Sequence, residues 1–231
     1  MIRDNKKQVE VVVALRGLAA LAVAVLHIVN APVGFMTNEV IRSITFRGAS
    51  GVQLFFIISG FVIPLSLIRG SYHFSRLGKF MLKRTIRIEP TYLVVIALSF
   101  AFVAFREALL SKGEIDYPSA VQVLQNVTYL VPFVDGEWIN PVFWTLGVEL
   151  QYYLLIACVW TLAKRIPPNL GLGLLVLSAW LGCEYTRHDF ITYWLAYFNL
   201  GILLALHFES KIKTQQLIFF GVTNLVIIWL F

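Results

Sequence analysis

The chain has 231 residues, of which 58% are hydrophobic and only 14% are charged, and its mean hydropathy is +0.76. Soluble domains carry about 25% charged residues, so this composition excludes an ordinary soluble domain and predicts a membrane protein. The net charge of +6 does not indicate nucleic-acid binding, because the basic residues mostly flank apolar segments.

The apolar residues fall in long blocks separated by short basic or Pro- and Gly-containing stretches. This pattern is typical of an all-α, polytopic bundle of transmembrane helices and not of a β-barrel. Seven segments are predicted to cross the membrane, at 11–29, 51–68, 91–105, 143–163, 170–185, 190–208 and 217–231. The third and the last are shorter than the roughly 20 residues that a span needs. The first is a retained helix and not a cleaved signal, because it leads straight into further apolar segments.

The distribution of lysine and arginine predicts the orientation. If all seven segments cross, thirteen basic residues lie in the connections on one side and five on the other. The basic side contains the N-terminus and the 69–90 loop, so we expect a multi-pass protein of the inner (cytoplasmic) membrane with a cytoplasmic N-terminus. The sequence ends in apolar residues at Phe231, and we expect 1–231 to be a single domain that is incomplete at its C-terminus.

The first apolar segment carries two polar residues, Arg16 and His27. They are 11 positions apart, which places them on one helix face about 16 Å apart and predicts that both point into the same interior. Ionisable groups in hydrocarbon usually serve a function. The alternatives are a snorkelling arginine and a packing hydrogen bond from the histidine. Small residues between them, such as Ala19 and Ala22, favour close helix packing or leave room for a ligand.

Arg84 and Arg87 stand three positions apart in KFMLKRTIRIEP, so they are neighbours on a helix that Pro90 is predicted to interrupt. Two guanidinium groups at this spacing suit a phosphate group. Basic residues at a cytoplasmic membrane boundary are also expected for topology alone, and the spacing slightly favours that explanation.

The connection at 106–141 contains the apolar patch VQVLQNVTYLVPF, which predicts a short interfacial or re-entrant helix. Its Asn126 begins an NVT pattern, which is too short to indicate glycosylation. Cys158 and Cys183 lie in apolar blocks without metal-type spacing, and no metal site is predicted.

Glu149 lies in FWTLGVELQYYLL, an otherwise apolar segment, so its carboxylate needs a partner or a raised pKa. Arg16 or His27 of the first helix is the expected partner. A structural ion pair between two helices is nearly as good an explanation.

Several blocks together resemble the acyltransferase 3 family, the multi-pass membrane O-acyltransferases that include O-antigen and exopolysaccharide acetylases. The matching blocks are LRGLAALAVAVLH at 15–27, GVQLFFIISGF at 51–61, FMLKRTIRIEPTY at 80–92, WTLGVELQYYLL at 144–155 and YFNLGILLA at 197–205. The chain departs from the pattern of many members at Gln53, Thr145, Leu150 and Ala157, and by lacking an acidic residue shortly before Arg16. These differences concern ion pairing and leave the resemblance intact.

The resemblance implies transfer of an acyl group, often acetyl, from cytoplasmic acyl-CoA to a hydroxyl of an exported or membrane-attached carbohydrate. It marks Arg16 and His27, and the pair Arg84 and Arg87, as site residues. The hypothesis is that the pair holds the CoA phosphates and His27 acts as general base, with Arg16 or Glu149 orienting it or stabilising charge. A transporter or flippase using the buried polar groups is the alternative, and a structural or degenerate family member is a third possibility.

Overall fold

The computed structural model describes residues 2–30, 38–110, 117–184 and 187–230. Regular structure in these ranges is helical, which confirms the predicted all-α class. The α-helices are α1 (Ile2–Val29), α2 (Glu39–Phe46), α3 (Ser50–Arg69), α4 (Leu77–Leu110), α5 (Ala120–Val127), α6 (Trp144–Ala163), α7 (Pro168–Cys183), α8 (Ile191–Phe208) and α9 (Thr214–Leu230). The predicted segment ends at residues 185 and 231 lie outside the described residues.

Each of the seven predicted segments corresponds to an apolar helix. Within the described residues, five helical stretches are long and apolar enough to cross a membrane: Glu10–Val29, Glu39–Arg69, Phe74–Arg106, Pro141–Ala163 and Ile191–Phe208. The other two are the shorter apolar helices α7, with 16 residues, and α9, with 17. This arrangement confirms a multi-pass membrane protein.

The basic stretch before residue 91, predicted as a loop, is helical from Leu77 onward. Helix α4 begins at Leu77 and runs for 34 residues, straight through Pro90. Lysine and arginine are good helix formers, so the basic stretch continues the helix even though it lowers the local hydropathy. A proline inside a membrane helix is tolerated where surrounding groups satisfy the freed backbone. The predicted interruption at Pro90 therefore does not occur.

The described residues group into two compact units, and the first contains α1–α3 and α7–α9. Glycines bring α3 and α8 together in this unit. A Cβ on Gly60 would collide with the backbone of Phe198, and a Cβ on Gly201 would collide with the carbonyl oxygen of Ile57. The two helices therefore cross in direct backbone contact, as small residues allow in membrane bundles.

The second unit contains α4, α5 and α6. Helices α4 and α6 run antiparallel. The ring of Tyr92 on α4 lies 4.5 Å from that of Phe143, just before α6. At the opposite end, the Nζ of Lys164 donates to the carbonyl oxygen of Tyr72 at 2.9 Å. The facing surfaces of α4 and α6 between these contacts carry several of the polar residues that the sequence marks.

Helix α5 confirms the short helix predicted in the connection after α4. Its Asn126 is fully buried and belongs to a hydrogen-bond network. The side chain donates to the carbonyl oxygens of Gln122 at 2.9 Å and Glu137 at 3.0 Å, and accepts from the backbone N–H of Ile139 at 3.0 Å. Asn126 is therefore a structural residue and not an exposed glycosylation acceptor.

Candidate active site

Helix α1 carries Arg16 and His27 on one continuous helix, so they share a face as the spacing predicts. This helix packs closely on α3. A Cβ on Gly51 would stand 2.7 Å from the carbonyl oxygen of Ala19 and equally close to Cγ2 of Val23. Ala19 is only 2% exposed. Ala19 therefore serves helix packing, the commoner of the two explanations that the sequence allows, whereas Gly17 has open space around it.

Arg16 and His27 differ in burial. Arg16 lies one turn before the packed Ala19 and is half-buried, whereas His27, close to the end of α1, is exposed. Arg16 also takes part in contacts within the protein. Arg16 is thus partly enclosed by the protein, whereas the exposure of His27 does not fit the prediction that both side chains point into the same interior.

Arg84 lies on the side of α4 that faces α6, and its guanidinium lies close to two aromatic rings. Its Cζ is 5.3 Å from the ring centroid of Phe80 and 5.6 Å from that of Tyr153 on α6. The two rings themselves meet edge to face at 6.4 Å. Arginine suits such a site because its guanidinium is planar and weakly hydrated. Arg84 is thus a half-buried cation whose contacts with these rings favour one position.

Arg87 has a different environment from Arg84, because it is exposed. Lys79 and Lys83 are exposed as well, and together with Arg87 they follow one face of α4 at four-residue spacing. A row of exposed cations attracts phosphate groups. The predicted pair therefore divides into one arginine fixed on aromatic rings and one that belongs to a cationic row.

Glu149 lies one helical turn before Tyr153 on α6, and the Tyr153 hydroxyl donates a hydrogen bond to Oε1 of Glu149. Tyr153 is 3% exposed, and Glu149 is half-buried. The same tyrosine ring contacts Arg84. Tyr153 was not predicted as a site residue from the sequence, yet it contacts two residues that were predicted, Arg84 and Glu149.

Tyr129 and Glu89 are two further polar groups in this unit that the sequence did not mark. Tyr129 is 7% exposed and has a left-handed φ of 56°. Burial, followed by the nearby Glu89 and Tyr92, raises the pKa of the Tyr129 hydroxyl, and the charge of Glu149 contributes in the same direction. Tyr129 therefore stays protonated at neutral pH. Nothing in the local pattern identifies Tyr129, because its role depends on the packing of the α5 connection against α4.

The candidate residues fall in separate compact units. Arg16 and His27 belong to the first unit, and Arg84, Arg87 and Glu149 belong to the second. Within the second unit, the structure joins a fixed cation, a carboxylate and tyrosine hydroxyls, a set able to bind an anion and to hold a proton. In the described parts of the chain, no group of three or more histidine, cysteine, aspartate or glutamate side chains is placed to hold a metal ion.

Comparison with known proteins identifies relatives of this chain. A family model described as an acyltransferase domain matches residues 12–231. Nodulation protein 10 of Rhizobium leguminosarum bv. viciae is 28% identical over 216 residues, which cover 78% of this chain and 55% of that protein. The O-acetyltransferase OatA of Staphylococcus aureus strain NCTC 8325 is 26% identical over 185 residues, covering 75% of this chain and 27% of that protein.

The chain thus spans about half the length of the first relative and about a quarter of the second. No solved structure shows significant similarity to it.

Proposed function

We propose that this chain, which belongs to the acyltransferase 3 family, is an O-acyltransferase that moves an acetyl group from acyl-CoA to a hydroxyl of a carbohydrate. The family match over residues 12–231 supports acyl transfer, and the relative named an O-acetyltransferase supports acetyl as the group. The acceptor in this proposal is an exported or membrane-attached glycan. The whole of 1–231 acts as one acyltransferase domain.

The structural observation that carries the proposal is the position of Arg84 on the rings of Phe80 and Tyr153. A guanidinium held in place can meet a phosphate with little further ordering. Arg87 and the exposed row of Lys79 and Lys83 add positive charge on the same helix. We assign these residues to binding the phosphates of coenzyme A. A donor without phosphates would make no use of these cations, so they favour acyl-CoA as the donor.

In the proposed reaction, His27 is the general base. A ring nitrogen of His27 takes the proton of the acceptor hydroxyl as the hydroxyl oxygen attacks the thioester carbonyl. The carbon–sulfur bond then breaks, the acetyl ester forms, and the proton passes to the departing CoA thiolate. The exposure of His27 supports this role because the acceptor has to reach it. Arg16 and Glu149 are the two candidates for orienting His27 or stabilising developing charge, Arg16 that of the oxyanion and Glu149 that of the imidazolium.

The proposed orientation places the N-terminus and the basic start of α4 in the cytoplasm, in the inner membrane of the cell. The excess of lysine and arginine in these connections supports it. In this orientation the donor reaches Arg84 from the cytoplasm, where acyl-CoA is made.

The test of the base is transfer of labelled acetyl from acetyl-CoA to glycans in membranes that contain the chain, with mass analysis of the glycans for an acetyl-sized difference. We expect His27→Ala to abolish transfer and His73→Ala, which removes another exposed histidine, to preserve it. A folded His27→Ala protein with full transfer would exclude His27 as the base. Movement of a substrate across the membrane without acyl-CoA would favour a transporter instead.

The test of the donor site compares Arg84→Lys with Arg87→Lys, since both variants keep the charge. Lysine lacks the planar, weakly hydrated guanidinium that suits aromatic rings and bidentate contact with a phosphate, so Arg84→Lys should weaken acetyl-CoA binding about tenfold. Arg87→Lys should change it by less than about threefold, because an exposed cation acts as a point charge. Equal effects of the two variants, measured by equilibrium binding, would contradict the assignment.

A further inference from the structure

Tyr153 has two separate contacts, and each involves a residue of the proposed site. Its ring lies 5.6 Å from the Arg84 guanidinium on α4. Its hydroxyl donates to the Glu149 carboxylate one turn earlier on α6. The side chain is 3% exposed, so it is held between the two helices.

The two contacts constrain different partners. Removing the hydroxyl keeps the ring beside Arg84 and removes the hydrogen bond to Glu149. Replacing the ring of Phe80, whose centroid lies 5.3 Å from the Arg84 Cζ, acts first on Arg84 and leaves the Tyr153 hydroxyl in place. The two variants therefore act to different degrees on the guanidinium and on the carboxylate.

The alignment of α4 with α6 explains why this tyrosine holds both groups. Tyr153 lies between the contact of Phe143 with Tyr92 and the contact of Lys164 with Tyr72, so it sits in the middle of the paired length. A shift of α6 along α4 would move the ring away from Arg84. Tyr153 thus contributes to the positions of both the cation and the carboxylate.

We propose that Tyr153 is a positioning residue that seats the Arg84 guanidinium with its ring and aligns the Glu149 carboxylate with its hydroxyl. This inference rests on the proposed function, since it assigns Arg84 to donor binding and Glu149 to the chemical step. The ring acts on the affinity for acyl-CoA, and the hydroxyl acts on turnover. Tyr153 itself need not touch the substrate.

The experiment measures kcat and KM for acetyl-CoA, together with equilibrium binding of acetyl-CoA, in the full chain in membranes. Tyr153→Phe should lower kcat by about tenfold to a hundredfold, the value of a hydrogen bond to a charged group, with binding unchanged. Phe80→Leu should weaken binding by about threefold to tenfold, and it should lower kcat less than Tyr153→Phe does, because it keeps the Tyr153 hydroxyl. Tyr153→Leu should show both effects.

Tyr152→Phe is the matched control. Tyr152 is the preceding residue, is 1% exposed and loses the same hydroxyl, but it projects about 100° away on the helix. The Tyr152→Phe variant should retain the wild-type kcat and the wild-type affinity for acetyl-CoA. If Tyr153 had only a structural role, Tyr153→Phe would lower kcat and the affinity for acetyl-CoA together, or Tyr152→Phe and Tyr153→Phe would have the same effect. Either result would overturn the inference.

The two proposals fail in different ways. If the wild-type chain neither binds acetyl-CoA nor transfers its acetyl group, the proposed function fails and the role of Tyr153 falls with it. If wild-type transfer depends on Arg84 but Tyr153→Phe keeps full kcat, the proposed function stands and the positioning role is wrong.

Discussion

The buried asparagine of the α5 connection gives the most direct test of the fold. Asn126→Ala removes a side chain that is 0% exposed. The backbone N–H of Ile139 then loses the oxygen that it donates to at 3.0 Å, and the carbonyl of Glu137 loses a donor at 3.0 Å. An orphaned buried N–H costs about 1–3 kcal/mol, and a lost hydrogen bond about 1 kcal/mol. We expect the free energy of unfolding to fall by about 3 kcal/mol.

The assay is denaturant unfolding of the purified chain in detergent micelles, followed by tryptophan fluorescence, with equal m-values for wild type and variant. Gln122→Ala is the matched control on the same helix. Its Nε2 also donates to the Glu137 carbonyl, but at 3.3 Å and from a less buried position, so it should cost about 0.5–1 kcal/mol. If Asn126→Ala costs no more than Gln122→Ala, the network does not hold the connection in place.

Two other substitutions test the packing of the first unit. Gly201→Ala should lower the free energy of unfolding by at least about 3 kcal/mol in the same assay, because its Cβ would meet the rigid carbonyl of Ile57; Gly221→Ala, with open space around it, should be neutral, and equal effects would contradict this packing. Asn199→Ala, which removes a 2.7 Å hydrogen bond to the carbonyl of Leu175, should cost only about 0.6–1.7 kcal/mol, as is usual between membrane helices; a cost above about 3 kcal/mol would show that more than this bond is lost.

The number and order of the apolar helices could be predicted from the sequence because hydropathy depends on composition alone. The ends of the helices were less predictable where the backbone is helical but the local composition is not apolar. The basic residues of α4 hide its first four turns from a hydropathy pattern, and Pro90 suggests a break that the structure does not contain. The end of a helix depends on the groups that surround its backbone in the fold, and a local hydropathy pattern contains no information about those groups.

The candidate site was predictable only where one helix determines it. The shared face of Arg16 and His27 follows from helix geometry. Tyr153 could have been found from its four-residue spacing to Glu149. The contact of Arg84 with the Tyr153 ring could not have been predicted, because it depends on the offset of α4 along α6. Many such offsets would bury a similar apolar area.

The length of α4 brings the topological and ligand-binding explanations of its basic residues together. Its 34 residues make a helix of about 51 Å, whereas the hydrocarbon core is about 30 Å thick. The helix is therefore longer than a single crossing needs, and the cationic row from Lys79 to Arg87 lies within its first eleven residues. In the orientation and with the donor proposed above, cations at this end serve the preference for one side of the membrane and also meet the phosphates of the donor. Arg84 differs from these cations because it contacts two aromatic rings, which membrane topology does not require. For that reason we assign the specific contact with the donor to Arg84.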